Sequence, residues 1–223
     1  LRVLALDTAL GATAVALYDS QTDHLLASES AAMERGHAEA LIPMVGRVLE
    51  MAEARFDSID RFAVTIGPGS FTGIRIGIAA TRGFALIHRR PAVGVSTLSA
   101  YAAPLIFAEE RRPVAVAIDA RHGMVFFQAL NIAGRTIAGP GLYSLEDAAR
   151  KTGDGAIGFA GNAADRLAAA RAGGARAAPT AAPDILWVAK LGAAADAKAA
   201  PARPLYLREA NVTLSDSTRL QRV

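Results

Sequence analysis

The sequence predicts an α/β protein built of two similar halves, and three observations support that class. Apolar runs of strand length alternate with segments of helical periodicity along the chain. A strand, an Asp, three residues, a Gly and a second strand occur twice, as "VLALDTALGATAVALY" from Val3 and "AVAIDARHGMVFFQAL" from Ala115. Asp7 and Gly11 thus correspond to Asp119 and Gly123. Strand, Asp turn and strand is also common hairpin chemistry, but its recurrence at the start of each half favours duplication. Finally, a chain of 223 residues that is 52% hydrophobic and 20% charged can bury sizeable cores and is not disordered.

Taken in order, "RVLALD" (2–7) and "ATAVALYD" (12–19) are strands joined by a short turn, and "HLLASESA" (24–31) adds a third. A long helix follows from about Gly36 to Arg55, then a strand at 61–66. The stretch "GPGSFTGIRIG" (67–77) is a glycine-punctuated loop opening a helix that runs to about Ile87. The strand "AVGVS" (92–96) is the last of the first half, residues 1–105, and the segment "LSAYAAPLIF" (98–107) runs across its end. The smaller second half, 106–223, begins its strands after Pro113. Residues 153–183 hold a glycine-rich turn, an Ala/Arg helix and an irregular Pro-containing link, and "DILWVAKLGAAAD" (184–196) is one more helix. The tail "PLYLREANVTL" (204–214) has strand-like spacing, and "SDSTRLQRV" (215–223) reads as a polar, mobile end.

Composition narrows the function classes. No apolar run approaches the ~18 residues of a membrane span, and the N-terminus reads as a strand rather than a secretory signal. The absence of cysteine removes disulfides, thiolate metal sites and Cys nucleophiles, and agrees with a cytoplasmic protein. The net charge of +3 is small and its arginines are scattered, so a solvated Arg-rich surface is preferred over a dedicated basic groove.

The 67–77 loop fits neither phosphate-binding grammar. A P-loop needs Gly-Lys-Ser/Thr where Gly73 is followed by Ile74 and Arg75, and a dinucleotide fingerprint needs glycine where Thr72 stands. What remains is a helix start capped by Ser70 or Thr72, whose N–H groups either hold an anion or satisfy themselves.

The helix behind the loop carries only two strongly polar side chains, Arg75 and Arg82, within about 20° of each other. Gly73, Gly77, Ala80 and Phe84 line one side, where the glycines permit close approach of another backbone. Helix 36–55 has a stripe of Ala38, Leu41, Ile42, Val45, Val48, Leu49 and Ala52, and a second apolar strip of Ala40, Met44 and Met51. Spare apolar faces on two neighbouring helices predict an interface with another subunit, with mutual coverage inside the monomer as the alternative. The expected interface residues are Ala40, Met44, Met51, Gly73, Ile74, Gly77, Ile78, Ala80 and Phe84.

Together "LALDTAL", "RGHAEALIPMV", "TIGPGSFTGIRIGIAATRGFAL", "GVSTLSAYA", "IDARHGMVFFQAL" and "PLYLR" resemble the bacterial TsaB family, formerly YeaZ. The resemblance implies a duplicated actin/Hsp70/sugar-kinase-like fold of two mixed-sheet domains. It also implies a non-catalytic role in making threonylcarbamoyladenosine on tRNA, beside a TsaD-type catalytic subunit and a TsaE-type ATPase. The chain alone would form a homodimer and meet tRNA through the complex. It would hold no cofactor tightly, with ATP or ADP entering in the assembled complex.

TsaD-type proteins carry a His-x-x-x-His metal pair where this chain has Thr97 and Tyr101, neither of which replaces a neutral imidazole. The resemblance therefore implies no metal and no catalytic residue here. His24, His37, His88 and His122 are spread out, and His37 in "HAEAL" lacks the second His of a zincin helix, so it is assigned to helix entry. Asp7, Thr8, Gly69, Ser70, Thr72 and Gly73 are the candidate anion or nucleotide contacts, although "DTALG" is not the glycine-rich turn of actin-like kinases. The competing reading is a stand-alone actin-like phosphotransferase or glycoprotease-type metallohydrolase, for which a retained metal-ligand cluster would be the discriminating feature.

Overall fold

The computed structural model describes residues 1–171, 177 and 179–207. The first sheet is formed by β1 (Arg2–Asp7), β2 (Ala12–Asp19), β3 (His24–Ala32), β4 (Arg61–Gly67) and β5 (Ala92–Ser96), in the order β3-β2-β1-β4-β5. β1 pairs antiparallel with β2 and parallel with β4, so the sheet is mixed. β1 is apolar on both sides because both faces of the sheet are covered. Leu4, Leu6, Val15, Leu17, Phe62 and Val64 face α1 (His37–Met51) and α2 (Phe71–His88). Val3, Ala5, Ala14, Ala16 and Ala63 face the opposite layer.

The second sheet is formed by β6 (Val114–Asp119), β7 (Met124–Leu130), β8 (Thr136–Ser144) and β9 (Gly158–Ala160), in the order β8-β7-β6-β9. This order and its strand directions repeat the first four strands of the other sheet, β6 pairing antiparallel with β7 and parallel with β9. The equivalent turns even share a hydrogen bond. Asp7 Oδ1 accepts from the N–H of Ala9 at 3.0 Å, and Asp119 Oδ1 from the N–H of Arg121 at 3.2 Å. The repeated strand-Asp-Gly pattern is therefore one hairpin per half of a duplicated fold. α4 (Leu145–Lys151) and α5 (Ala164–Ala170) cover one face of this sheet, and α3 (Thr97–Ile106) covers the other through Leu98, Tyr101 and Ala102.

Three expectations need correction. The division at 105/106 does not hold, because α6 (Ile185–Ala194) returns to the first sheet and supplies its missing second cover. Ile185, Val188, Ala189 and Gly192 form the buried stripe of α6, and Gly192 sits directly on Ala63. Arg61 Nη1 donates to the carbonyls of Gly192, Ala193 and Ala195, satisfying the end of α6. Residues after α6 stay with this half: Pro201 bridges Val93, and the Leu205 N–H donates to the carbonyl of Ile66 at 2.8 Å.

The first long helix is also shorter than expected, ending at Met51 because Glu53 turns left-handed at φ 48° and the Ala54 N–H closes on the carbonyl of Leu49. Finally, its buried stripe is rotated toward Met44, which is inside the core with Leu41, Val45, Val48 and Leu49, while Ile42 is outside. The expected tail strand and polar end lie largely outside the described residues.

Candidate functional site

Three glycines of the 67–77 segment, Gly69, Gly73 and Gly77, answer to the turn between β1 and β2. A side chain on Gly69 would collide with the carbonyl of Ala9, and one on Gly73 with the carbonyl of Thr8. At Gly77 a Cβ would lie 2.7 Å from Thr8 Oγ1 and 3.1 Å from Val64. The close approach is stitched by hydrogen bonds: the Ser70 N–H donates to the Ala9 carbonyl at 2.7 Å, and the Thr8 hydroxyl to the Gly73 carbonyl at 2.7 Å. Ser70 caps α2, its hydroxyl accepting from the Gly73 N–H at 3.3 Å. The turn after β1 thus holds the start of the chain's own helix.

This geometry divides the expected contact sets. Asp7 and Thr8 are buried beneath α2, whereas Gly69, Ser70 and Thr72 lie on the wall of an open cleft. Of the expected interface residues, Met44, Gly73, Ile74, Gly77 and Ile78 point into the chain's own interior, which corrects their placement on a free face. Ala40, Ala80 and Phe84 are half-buried, Phe84 being stacked against Phe62 and Phe56, and Met51 is exposed. Gly77→Leu therefore tests the core rather than an interface. We expect it to lower stability by ~1–3 kcal/mol, read as a shift of the urea midpoint.

Asp7 is wholly buried, and burial pushes its carboxyl up from the usual range against hydrogen bonds from Thr65, Ala9 and Thr8. One carboxyl oxygen takes these bonds, while Oδ2 has no partner among the described residues. The sign follows: with the folded pKa raised, the unfolded chain releases this proton first, so stability falls as pH rises from about 3.8 through the folded value. Asp7→Asn removes that loss. Its stability relative to the parent, measured by denaturant titration across pH, should be greatest above this window and shrink as pH falls through it.

The two positions that the resemblance equates with the TsaD-type metal pair, Thr97 and Tyr101, are both buried. Tyr101 donates its hydroxyl to the Thr180 carbonyl at 2.8 Å, and burial, with the charge of Asp7 adding to it, pushes its ionisation far above the normal range. Thr97 is buried at the start of α3. His37, at the entry of α1, places Nδ1 2.7 Å from the Thr13 hydroxyl, and burial lowers its pKa. Among the described residues no three His, Cys, Asp or Glu side chains gather as a metal site, and no helix is long and apolar enough to cross a membrane.

The cleft between the two halves has a volume of about 1310 Å³. One wall carries Arg35, Ser70, Phe71 and Arg75, and the other Arg121, His122 and Asn162. Asp119 is held by Arg166 at 2.9 Å, and its backbone N–H donates to Asn162 at 2.8 Å.

Comparison with known proteins adds the lineage. The family model TsaD, tRNA N6-adenosine threonylcarbamoyltransferase, matches residues 25–187. The tRNA threonylcarbamoyladenosine biosynthesis protein TsaB of Escherichia coli K12 is 38% identical over 127 residues, covering 57% of this chain and 54% of that protein. The protein of the same name from Haemophilus influenzae is 35% identical over 128 residues, 57% of this chain and 52% of its own length. The matched stretch thus spans about half the length of these curated relatives. Over nearly the whole chain, the solved structure of YeaZ from Pseudomonas aeruginosa superposes with a TM-score of 0.77 at 28% identity, covering 92% of this chain and 99% of that one. The chain belongs to the TsaB (YeaZ) family.

Within a TsaB-type chain, two features escaped the sequence. Beside Met51, which the sequence already sets on a spare strip, α1 exposes Ile42, and α2 exposes Leu86 and Ile87 to 80% and 73%. Leu86 and Ile87 were concealed because the whole circumference of that helix is apolar, so periodicity did not choose a face. The second feature is Tyr206, which reaches Phe71 from a distant part of the chain, with ring centroids 5.9 Å apart. No local pattern signals that pairing.

Proposed function

We propose that this chain is the non-catalytic scaffold subunit of an assembly that makes N6-threonylcarbamoyladenosine on tRNA. In this reading it binds a TsaD-type catalytic subunit, and the pair recruits a TsaE-type ATPase, with ATP or ADP entering only in the assembled complex. The observation that carries the reading is the exposure of the adjacent Leu86 and Ile87 on the outer side of α2, with Ile42 and Met51 exposed on opposite flanks of α1. Each such side chain, fully buried by a partner, contributes ~1.5–3 kcal/mol, enough for Leu86 and Ile87 together to anchor a contact. In the absence of that partner a second copy of the chain can cover the same faces, giving a homodimer.

The names of the relatives support the pathway, and the buried Tyr101 and Thr97 support the lack of a metal-dependent step in this subunit. Reconstitution provides the test. A TsaD-type subunit, a TsaE-type ATPase, ATP, threonylcarbamoyl-AMP and tRNA should yield modified tRNA only when this chain is added, and this chain alone should give none. Full product formation without it would overturn the proposal.

A further inference from the structure

We infer that the cleft between the two halves binds single-stranded RNA directly, stacking an unpaired base on Tyr206 and pairing the flanking phosphates with Arg35, Arg75 and Arg121. The inference takes the RNA's source from the proposed tRNA role, but its geometry stands on its own residues. Phe71 and Tyr206 are stacked with ring planes 28° apart, and Arg75 lies with Cζ 3.2 Å above the Phe71 ring and 5.6 Å from that of Tyr206. Such a layered stack leaves rings unusually open: Phe71 is 58% exposed and Tyr206 49%. Since one face of Tyr206 is committed to Phe71, its other face is the platform for a base.

The surrounding charge is complementary to a backbone of phosphates. Arg35 and Arg75 line one wall and Arg121 and His122 the other, against two lining carboxylates, Glu34 beside Arg35 and Asp119, the latter engaged by Arg166, so the three arginines leave the lining with a net positive charge. Among the described residues, no carboxylate lies within ion-pair distance of Arg35, Arg75 or Arg121. Arg121 and His122 are two consecutive left-handed residues at φ 64° and 52°, held in that conformation by the hydrogen bond of the Arg121 N–H to Asp119. Strained backbone of this kind persists where surrounding structure fixes it, and here it sets two basic side chains on the cleft wall.

Cations on both walls track a strand rather than cage one terminal phosphate, and about 1310 Å³ exceeds the usual volume of a small-molecule pocket. The turn that would cradle a nucleotide's phosphates is occupied by α2. An unpaired segment is required because a base must leave its helix to stack on an aromatic ring.

Fluorescence anisotropy with a labelled, unstructured eight-nucleotide RNA and the full chain tests this. Tyr206→Ala should weaken binding about tenfold and Arg121→Glu at least as much. Neutralisation of about three phosphates predicts that log Kd rises with log salt with a slope of roughly 2. Millimolar ATP should leave the complex intact, and duplex RNA should bind at least about tenfold more weakly.

Melting temperatures within about 2 °C of the parent should accompany both substitutions, since the side chains changed are on the cleft surface. Unchanged affinity in well-folded Tyr206→Ala and Arg121→Glu overturns the inference. So does displacement by ATP, which assigns the cleft to a free nucleotide, or equal competition by polyphosphate, which reduces it to charge. Pull-down of a TsaD-type subunit is measured in parallel. Lost RNA binding with intact pull-down in the parent overturns only the RNA contact, whereas lost pull-down counts against the scaffold role.

Discussion

Gly73→Val will lower the melting temperature by roughly 10 °C, the consequence of about 3 kcal/mol of overpacking in a chain of this size. The first carbon of the new side chain would collide with the Thr8 carbonyl oxygen. Neither neighbour can yield cheaply, because Thr8 is tied by its hydroxyl to Gly73 and the adjacent Ala9 carbonyl accepts from Ser70. Gly83 supplies the control on the same helix. Nothing lies within 4 Å of a Cβ built there, so Gly83→Ala should raise stability by ~0.5–1 kcal/mol through helix propensity alone. Scanning calorimetry of both variants separates the two effects. Equal melting temperatures for Gly73→Val and the parent would refute the close packing of α2 on the turn.

Joint replacement of Leu86 and Ile87 by glutamate should abolish pairing with a TsaD-type subunit and leave the fold intact. Both side chains are largely in solvent in the free chain, so the substitution removes no core contact and its effect on melting should stay within about 2 °C. In the proposed complex it would replace two buried apolar groups by charges, and loss of their burial alone would weaken binding about hundredfold or more. The contrast with Met44→Glu is diagnostic. Met44 is in the core of the first half, and its replacement should unfold the chain rather than free it from its partner.

The sequence carried the parts of the fold that depend on local order. The three leading strands, the loop at 67–77 and the paired Asp turns at 7 and 119 all follow from periodicity and turn chemistry, while the choice of Ser70 over Thr72 as the cap of α2 does not. The glycine positions were legible as close-approach sites, but their object was not. A glycine announces that a backbone comes near without saying which one, so the sequence places Gly73 and Gly77 against a partner whereas they face Thr8. The return of α6 to the first sheet was invisible for a related reason: its apolar stripe fits either sheet, and only the uncovered face around Val3, Ala5 and Ala63 decides. In α1 the apolar positions span more than one face, and the choice of Met44 over Ile42 for the core depends on packing against β2, β3 and α2 that no window of sequence contains. The cleft was hidden more completely, because Phe71, Arg121 and Tyr206 converge from three separate stretches.

Light scattering during size exclusion of an equimolar mixture with a TsaD-type subunit tests the scaffold role most directly. The account predicts one peak whose mass includes both chains for the parent protein, and two separate species once Leu86 and Ile87 are both glutamate. Separate elution of the parent chain and the TsaD-type subunit, or a mixed complex undisturbed by the double substitution, would contradict it.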